Sequence, residues 1–155
     1  MTKNIYELMD ICRQLTKSIR HSEGSLFDHL FACWKLAMQK GYSDDICVAL
    51  LLHSIYGTAS FKIDSLESRE TIKEYVGEDI ENLIFQFCNL PNRAEMLLEY
   101  SWPDEELRYK LAQMDYINIL EQKNRFPVEM QDEIKNVIEL YERFLNERKV
   151  KKSNP

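Results

Sequence analysis

His21, His29 and His53 are the only histidines of the 155-residue chain. His53 closes an unbroken apolar run, Ile46-Cys47-Val48-Ala49-Leu50-Leu51-Leu52, and is followed by Ser54-Ile55-Tyr56-Gly57-Thr58. An imidazole at the end of a buried helix needs partners, because burying it unpaired costs about 1–3 kcal/mol. His29 has Leu26 three residues before it and Cys33 four after, so it shares an apolar helical face and points inward. Asp115 stands in Leu111-Ala112-Gln113-Met114-Asp115-Tyr116-Ile117-Asn118-Ile119, with Leu111 and Ile119 four residues to either side. A carboxylate on such a face demands a counter-charge or a metal. Two imidazoles and one carboxylate suit a single divalent ion: iron, manganese or zinc. Each residue also has a plainer reading. An inward histidine can be a hydrogen-bonded core residue, and a helical Asp can be a cap or an ion-pair partner.

The elements that must position these residues are helical. Apolar i, i+3, i+4 spacing is common, two-residue alternation is nowhere sustained, and Gly and Pro number only 4 each. A first helix is predicted over residues 5–19, broken by His21-Ser22-Glu23-Gly24. Ser25 is an N-cap with Asp28 in capping-box position, and the helix it opens runs to about residue 40 and stops at Gly41. Ser43 caps a third helix, apolar on every side and hence central. Residues 57–64 read as a loop. Helices are predicted at about 66–76, at 78–88, after Pro91, over 103–123 and from Pro127 onward. The expected fold is all-α: a single compact domain of seven to eight helices over residues 1–148, with a basic, disordered tail at 149–155.

Composition narrows the function. The net charge of −6 argues against nucleic-acid partners, which need Lys and Arg along the phosphates. No stretch reaches the roughly 18 apolar residues of a membrane span, and no signal-peptide apolar region is present. Cys12, Cys33, Cys47 and Cys88 form no C-x-x-C pair and read as small core hydrophobes, as in a reducing compartment. The expectation is a cytoplasmic protein, either a monomer or a homodimer through the face of its last helix.

The order His29, His53 at the end of an apolar helix, then Asp115 deep in a later helix resembles the metal-binding order of the HD-domain superfamily. More narrowly, His21-Ser22-x-x-Ser25-Leu26-x-Asp28-His29-Leu30 with His53-Ser54-Ile55-Tyr56-Gly57-Thr58 resembles a small HD-like family of uncharacterised function, over about residues 5–125. The resemblance implies an HD-like helical bundle with His29, His53 and Asp115 around one metal ion. It departs from the superfamily at the doublet, where Ser54 replaces the Asp that binds or bridges metals, and no histidine follows His53. A two-metal site is therefore not implied; one metal, or none, is.

The same resemblance places Ser54, Tyr56, Gly57 and Thr58 at a substrate mouth lidded by residues 56–64. His21 would be a proton-transfer group, a further ligand or a surface cap. Arg69 would hold a phosphate or carboxylate of a small-molecule substrate, or else pair with an Asp or Glu. The function implied is that of a metal-dependent enzyme, either a phosphohydrolase or a non-haem-iron oxygenase. The alternative is a non-catalytic helical module that binds a ligand or partner through a degenerate site.

Overall fold

The computed structural model describes residues 2–59 and 61–153, the last by its backbone alone. Ser60 of the expected lid, and Asn154 and Pro155 of the expected tail, lie outside the described residues. The fold is all-α, as the periodicity predicts. Among the described residues, no helix is long and apolar enough to cross a membrane. Backbone contacts divide the chain into two compact units, Met1–Pro91 and Asn92–Pro155.

In the first unit, α1 (Ile5–Thr16) starts at Asn4, whose side chain accepts from the Tyr6 and Glu7 amides in a capping box. The helix ends three residues short of its predicted end. The intervening chain forms a two-residue hairpin, β1 (Arg20–His21) on β2 (Gly24–Ser25), and Ser22 takes a left-handed φ of 50° at the turn. Strands this short carry no alternation for a sequence reading to detect. α2 (Leu26–Gln39) has the predicted capping box: the Ser25 hydroxyl accepts from the Asp28 amide, and the Asp28 carboxylate accepts from the Ser25 amide. Gly41, at φ 73°, ends it. α3 (Asp44–Leu51) is capped by Ser43 and carries Asp44 and Asp45 in its first turn, against the positive end of the helix dipole.

α3 packs on α2 and on α5 (Glu78–Asn89), and α4 (Arg69–Val76) packs on α5. Leu26, Leu30, Leu50, Leu51, Ile84 and Phe87 are among the side chains buried there. Between α3 and α4 the chain is irregular. Gly57 sits at φ 75°, where a Cβ would lie 2.7 Å from the Ile63 carbonyl oxygen, so only glycine fits this turn.

The second unit holds α6 (Arg93–Leu98), α7 (Glu105–Gln122) and α8 (Gln131–Ser153). Two short 3-10 turns lie between α7 and α8. α8 packs on α7 and buries Ile134 and Tyr141. The tail expected to be disordered from residue 149 is instead helical through Ser153. Arg148 and Lys152 both reach Glu106, and the helix's basic end suits the negative pole of its dipole.

Candidate metal site

α2 delivers His29 and, one turn later, Cys33; the turn that follows α3 delivers His53. All three are buried, at 4%, 0% and 2% exposure. His29 Nε2 and His53 Nε2 stand 3.2 Å apart, and Cys33 Sγ is 3.8 Å from each ring nitrogen of His29. One ligand atom from each residue can be chosen so that all lie within 4.8 Å of one another, and the group could hold a metal ion. The rings of His29 and His53 meet edge to face, and Phe87 also meets His53 edge to face, at 5.3 Å between centroids.

The donor set fits such an ion. Imidazole nitrogens at about 2.05 Å and a thiolate at about 2.3 Å from a tetrahedral zinc leave roughly 3.3 Å between nitrogens and roughly 3.6 Å between nitrogen and sulfur. The observed 3.2 Å between the two imidazoles and 3.8 Å between His29 and Cys33 are close to these, and the third pair, His53 with Cys33, lies within 4.8 Å. His53 is also oriented as a ligand. Its Nδ1 is 2.6 Å from the Leu50 carbonyl oxygen, which accepts the ring proton and leaves a lone pair on Nε2 facing His29. The same distances describe a coherent metal-free arrangement, in which His29 Nε2–H donates to His53 Nε2. Burial alone therefore does not force an ion into the site.

Around this group, His21 on β1 stacks on His29 at 4.3 Å between ring centroids and 18° between planes. Phe61 meets His21 edge-on at 4.8 Å. Phe61 is placed there by Thr58, whose hydroxyl accepts from the Phe61 amide at 2.9 Å. Ser54 is buried one residue past His53. Cys88 of α5 donates to the His53 carbonyl at 3.1 Å, and Cys12 of α1 donates to the Leu51 carbonyl at 3.3 Å. Burial pushes the Cys12 thiol up to about 12, against smaller opposing effects of Thr16 and Arg13, so it remains a protonated donor at neutral pH.

Three predicted site residues, Asp115, Arg69 and Tyr56, have other partners. Asp115, expected as the third ligand, gives one oxygen to Arg93 Nε at 2.9 Å and the other to the Tyr141 hydroxyl at 2.5 Å. Both partners lie in the second unit with it, so its burial is satisfied by the ion pair that was the plainer alternative. Burial and the Asp115 charge push the Tyr141 phenol up, keeping it a donor. Arg69 is held in a fork by Glu81, Nε to Oε1 at 2.7 Å and Nη2 to Oε2 at 2.8 Å, and lies 3.6 Å over the Phe85 ring. Tyr56 donates to the same carboxylate at 2.9 Å. These contacts spend the guanidinium fork expected to receive an anionic substrate.

Cys33 is the residue sequence reasoning missed as a ligand. Its signal was His29-x-x-x-Cys33, two metal-binding side chains one helical turn apart on one face.

Neither the curated proteins nor the solved structures hold a match to this chain. A family model does match, over residues 11–92, more than half of the sequence and a span that includes His21, His29, Cys33 and His53. On that match the chain belongs to the family described as Domain of unknown function (DUF6817).

Proposed function

We propose that this protein is a metal-dependent enzyme of hydrolytic type, holding one divalent ion, zinc before iron or manganese, on His29, Cys33 and His53. The observation that carries the reading is the buried His-Cys-His group with its three ligand atoms in reach of one ion. Three protein ligands are the number found at catalytic zinc sites, which keep a fourth position for water or substrate. When bound, such an ion acts as a Lewis acid and lowers the pKa of a coordinated water. The Leu50 carbonyl fixes the His53 ring as a lone-pair donor, and Phe87 limits where that ring can turn. His21, half-buried beside His29, is of the right chemical type to carry a proton to a leaving group.

A thiolate in place of a carboxylate favours zinc over the two-His-one-carboxylate iron chemistry, since Asp115 is committed to Arg93 and Tyr141. The resemblance to the HD-domain superfamily supports a phosphate ester or phosphoanhydride of a small molecule as the substrate class. The commitment of Arg69 to Glu81 favours a second reading, a non-catalytic metal-binding module.

Elemental analysis of protein purified without added metal or chelator tests both. About one zinc per chain is expected in the wild type, with loss in His53→Ala and a sharp fall in Cys33→Ser. Asp115→Asn is expected to keep its metal while losing about 3 kcal/mol of stability, because it removes the buried negative charge that faces Arg93 and the Tyr141 hydroxyl. A wild-type chain that neither carries metal nor takes up Zn(II), Mn(II) or Fe(II) would overturn the metal reading. A loaded chain that hydrolyses no phosphate ester or anhydride would leave the module.

A further inference from the structure

The carbonyl groups that follow the end of α3 are all buried among residues with little or no exposure, and each has a donor that can be named. Past the last helical turn no i+4 amide is available, so every carbonyl must be satisfied from elsewhere. The Leu50 carbonyl accepts the His53 ring N–H at 2.6 Å. The Leu52 carbonyl accepts the Ile55 amide at 3.0 Å, and the Ser54 carbonyl accepts the Gly57 amide at 2.9 Å. The two that remain, Leu51 and His53, are reached by thiols from two other helices, Cys12 of α1 at 3.3 Å and Cys88 of α5 at 3.1 Å.

The geometry points to Cys12 and Cys88 as positioning residues for the metal ligand His53. Their S–H groups hold the backbone of the turn on both sides of Leu52, and that backbone sets the angle at which the His53 ring meets the Leu50 carbonyl. A thiol is a weak donor. Its weight here comes from burial, since a donor lost from a buried carbonyl costs more than one lost at the surface. Without either donor the turn relaxes, the ring loses its Leu50 partner, and Nε2 no longer presents a fixed lone pair toward His29. Groups that orient metal ligands in this way typically change metal affinity by 10–100-fold when removed. Two of the four cysteines thus serve the backbone of one histidine, while Cys33 stands beside the ring of the other, His29.

The affinity arm of the test rests on the metal reading above, and a second arm does not. Metal-free full-length protein is titrated with Co(II), in the wild type and in Cys88→Ala, Cys88→Ser, Cys12→Ala and Cys12→Ser. Both alanine variants are expected to bind Co(II) about tenfold more weakly or worse. Both serine variants, which restore an O–H donor, are expected to bind near the wild-type level. In the second arm, nitrogen NMR of the His53 ring in the metal-free proteins reads the tautomer. Nδ1–H is expected to dominate in the wild type and the serine variants and to be diluted in the alanine variants.

Serine and alanine variants that behave alike, or alanine variants with unchanged affinity and tautomer, would overturn the assignment. If the wild type takes up no Co(II), the metal reading fails and the tautomer arm alone decides between these outcomes. Should Cys88→Ala not fold, Cys88→Val, which removes the donor and keeps the volume, takes its place.

Discussion

Glu81 has no exposed side-chain surface, and its charge survives there because three donors meet it, two from Arg69 and one from Tyr56. Burial pushes its carboxyl up, but the Arg69 and Tyr56 hydrogen bonds and the Arg69 charge outweigh it and hold the group below its ordinary value of 4.5. Because the unfolded chain then binds the proton more readily, the pair stabilises the protein fully above 4.5, and that contribution is lost as pH falls through the lower folded value. Thermal melts below pH 4.5 should therefore show a falling Tm in the wild type. In Glu81→Gln the Tm should start lower at neutral pH and fall less steeply in acid. Added salt should weaken the effect only in part, since Arg69 is 37% exposed and its partner is buried. At this scale the sequence told half of each story. The apolar flanks of Asp115 announced its burial, yet nothing near it announced Arg93, 22 residues earlier, or Tyr141, 26 later. Periodicity reports which way a side chain faces, not what it faces. Cys33 was visible on the face of His29 and was counted as apolar, because a thiol on an apolar stripe looks the same whether or not it binds metal.

Helix starts were legible because caps are local chemistry. Asn4, Ser25, Ser43, Ser68 and Asp104 each accept backbone amides at the start of a helix, and three of these helices follow the predicted starts closely. Helix ends were less so. The apolar run through Leu52 gave no reason for α3 to stop at Leu51, where thiols of α1 and α5 meet carbonyls of the turn that follows. α2 matters most to the site, carrying His29 at its fourth residue and Cys33 a turn later. Ser25→Ala should lower stability by about 1 kcal/mol in chemical denaturation, with Ser25→Thr, which keeps the hydroxyl that both accepts from the Asp28 amide and donates to its carboxylate, close to wild type. Since the first turn of α2 frays more easily without its cap, the same alanine variant should also bind added Zn(II) more weakly, a change that isothermal titration would read.

The boundary between the two compact units falls after Pro91, and the family match ends at residue 92. A backbone partition and a family model thus agree to within one residue on where a unit stops. His21, His29, Cys33 and His53 lie on one side of that boundary, and Asp115 with its partners lies on the other. A fragment of residues 1–91, which carries all three proposed ligands, should bind one Zn(II). A fragment that is unfolded with and without metal would show that the unit depends on residues 92–155. The four cysteines divide in the same way: Cys12, Cys33, Cys47 and Cys88 are all buried, and all precede Pro91. No thiol belongs to the remainder of the chain, so alkylation under native conditions becomes a clock that runs only when the first unit opens, while the second stays silent whatever it does.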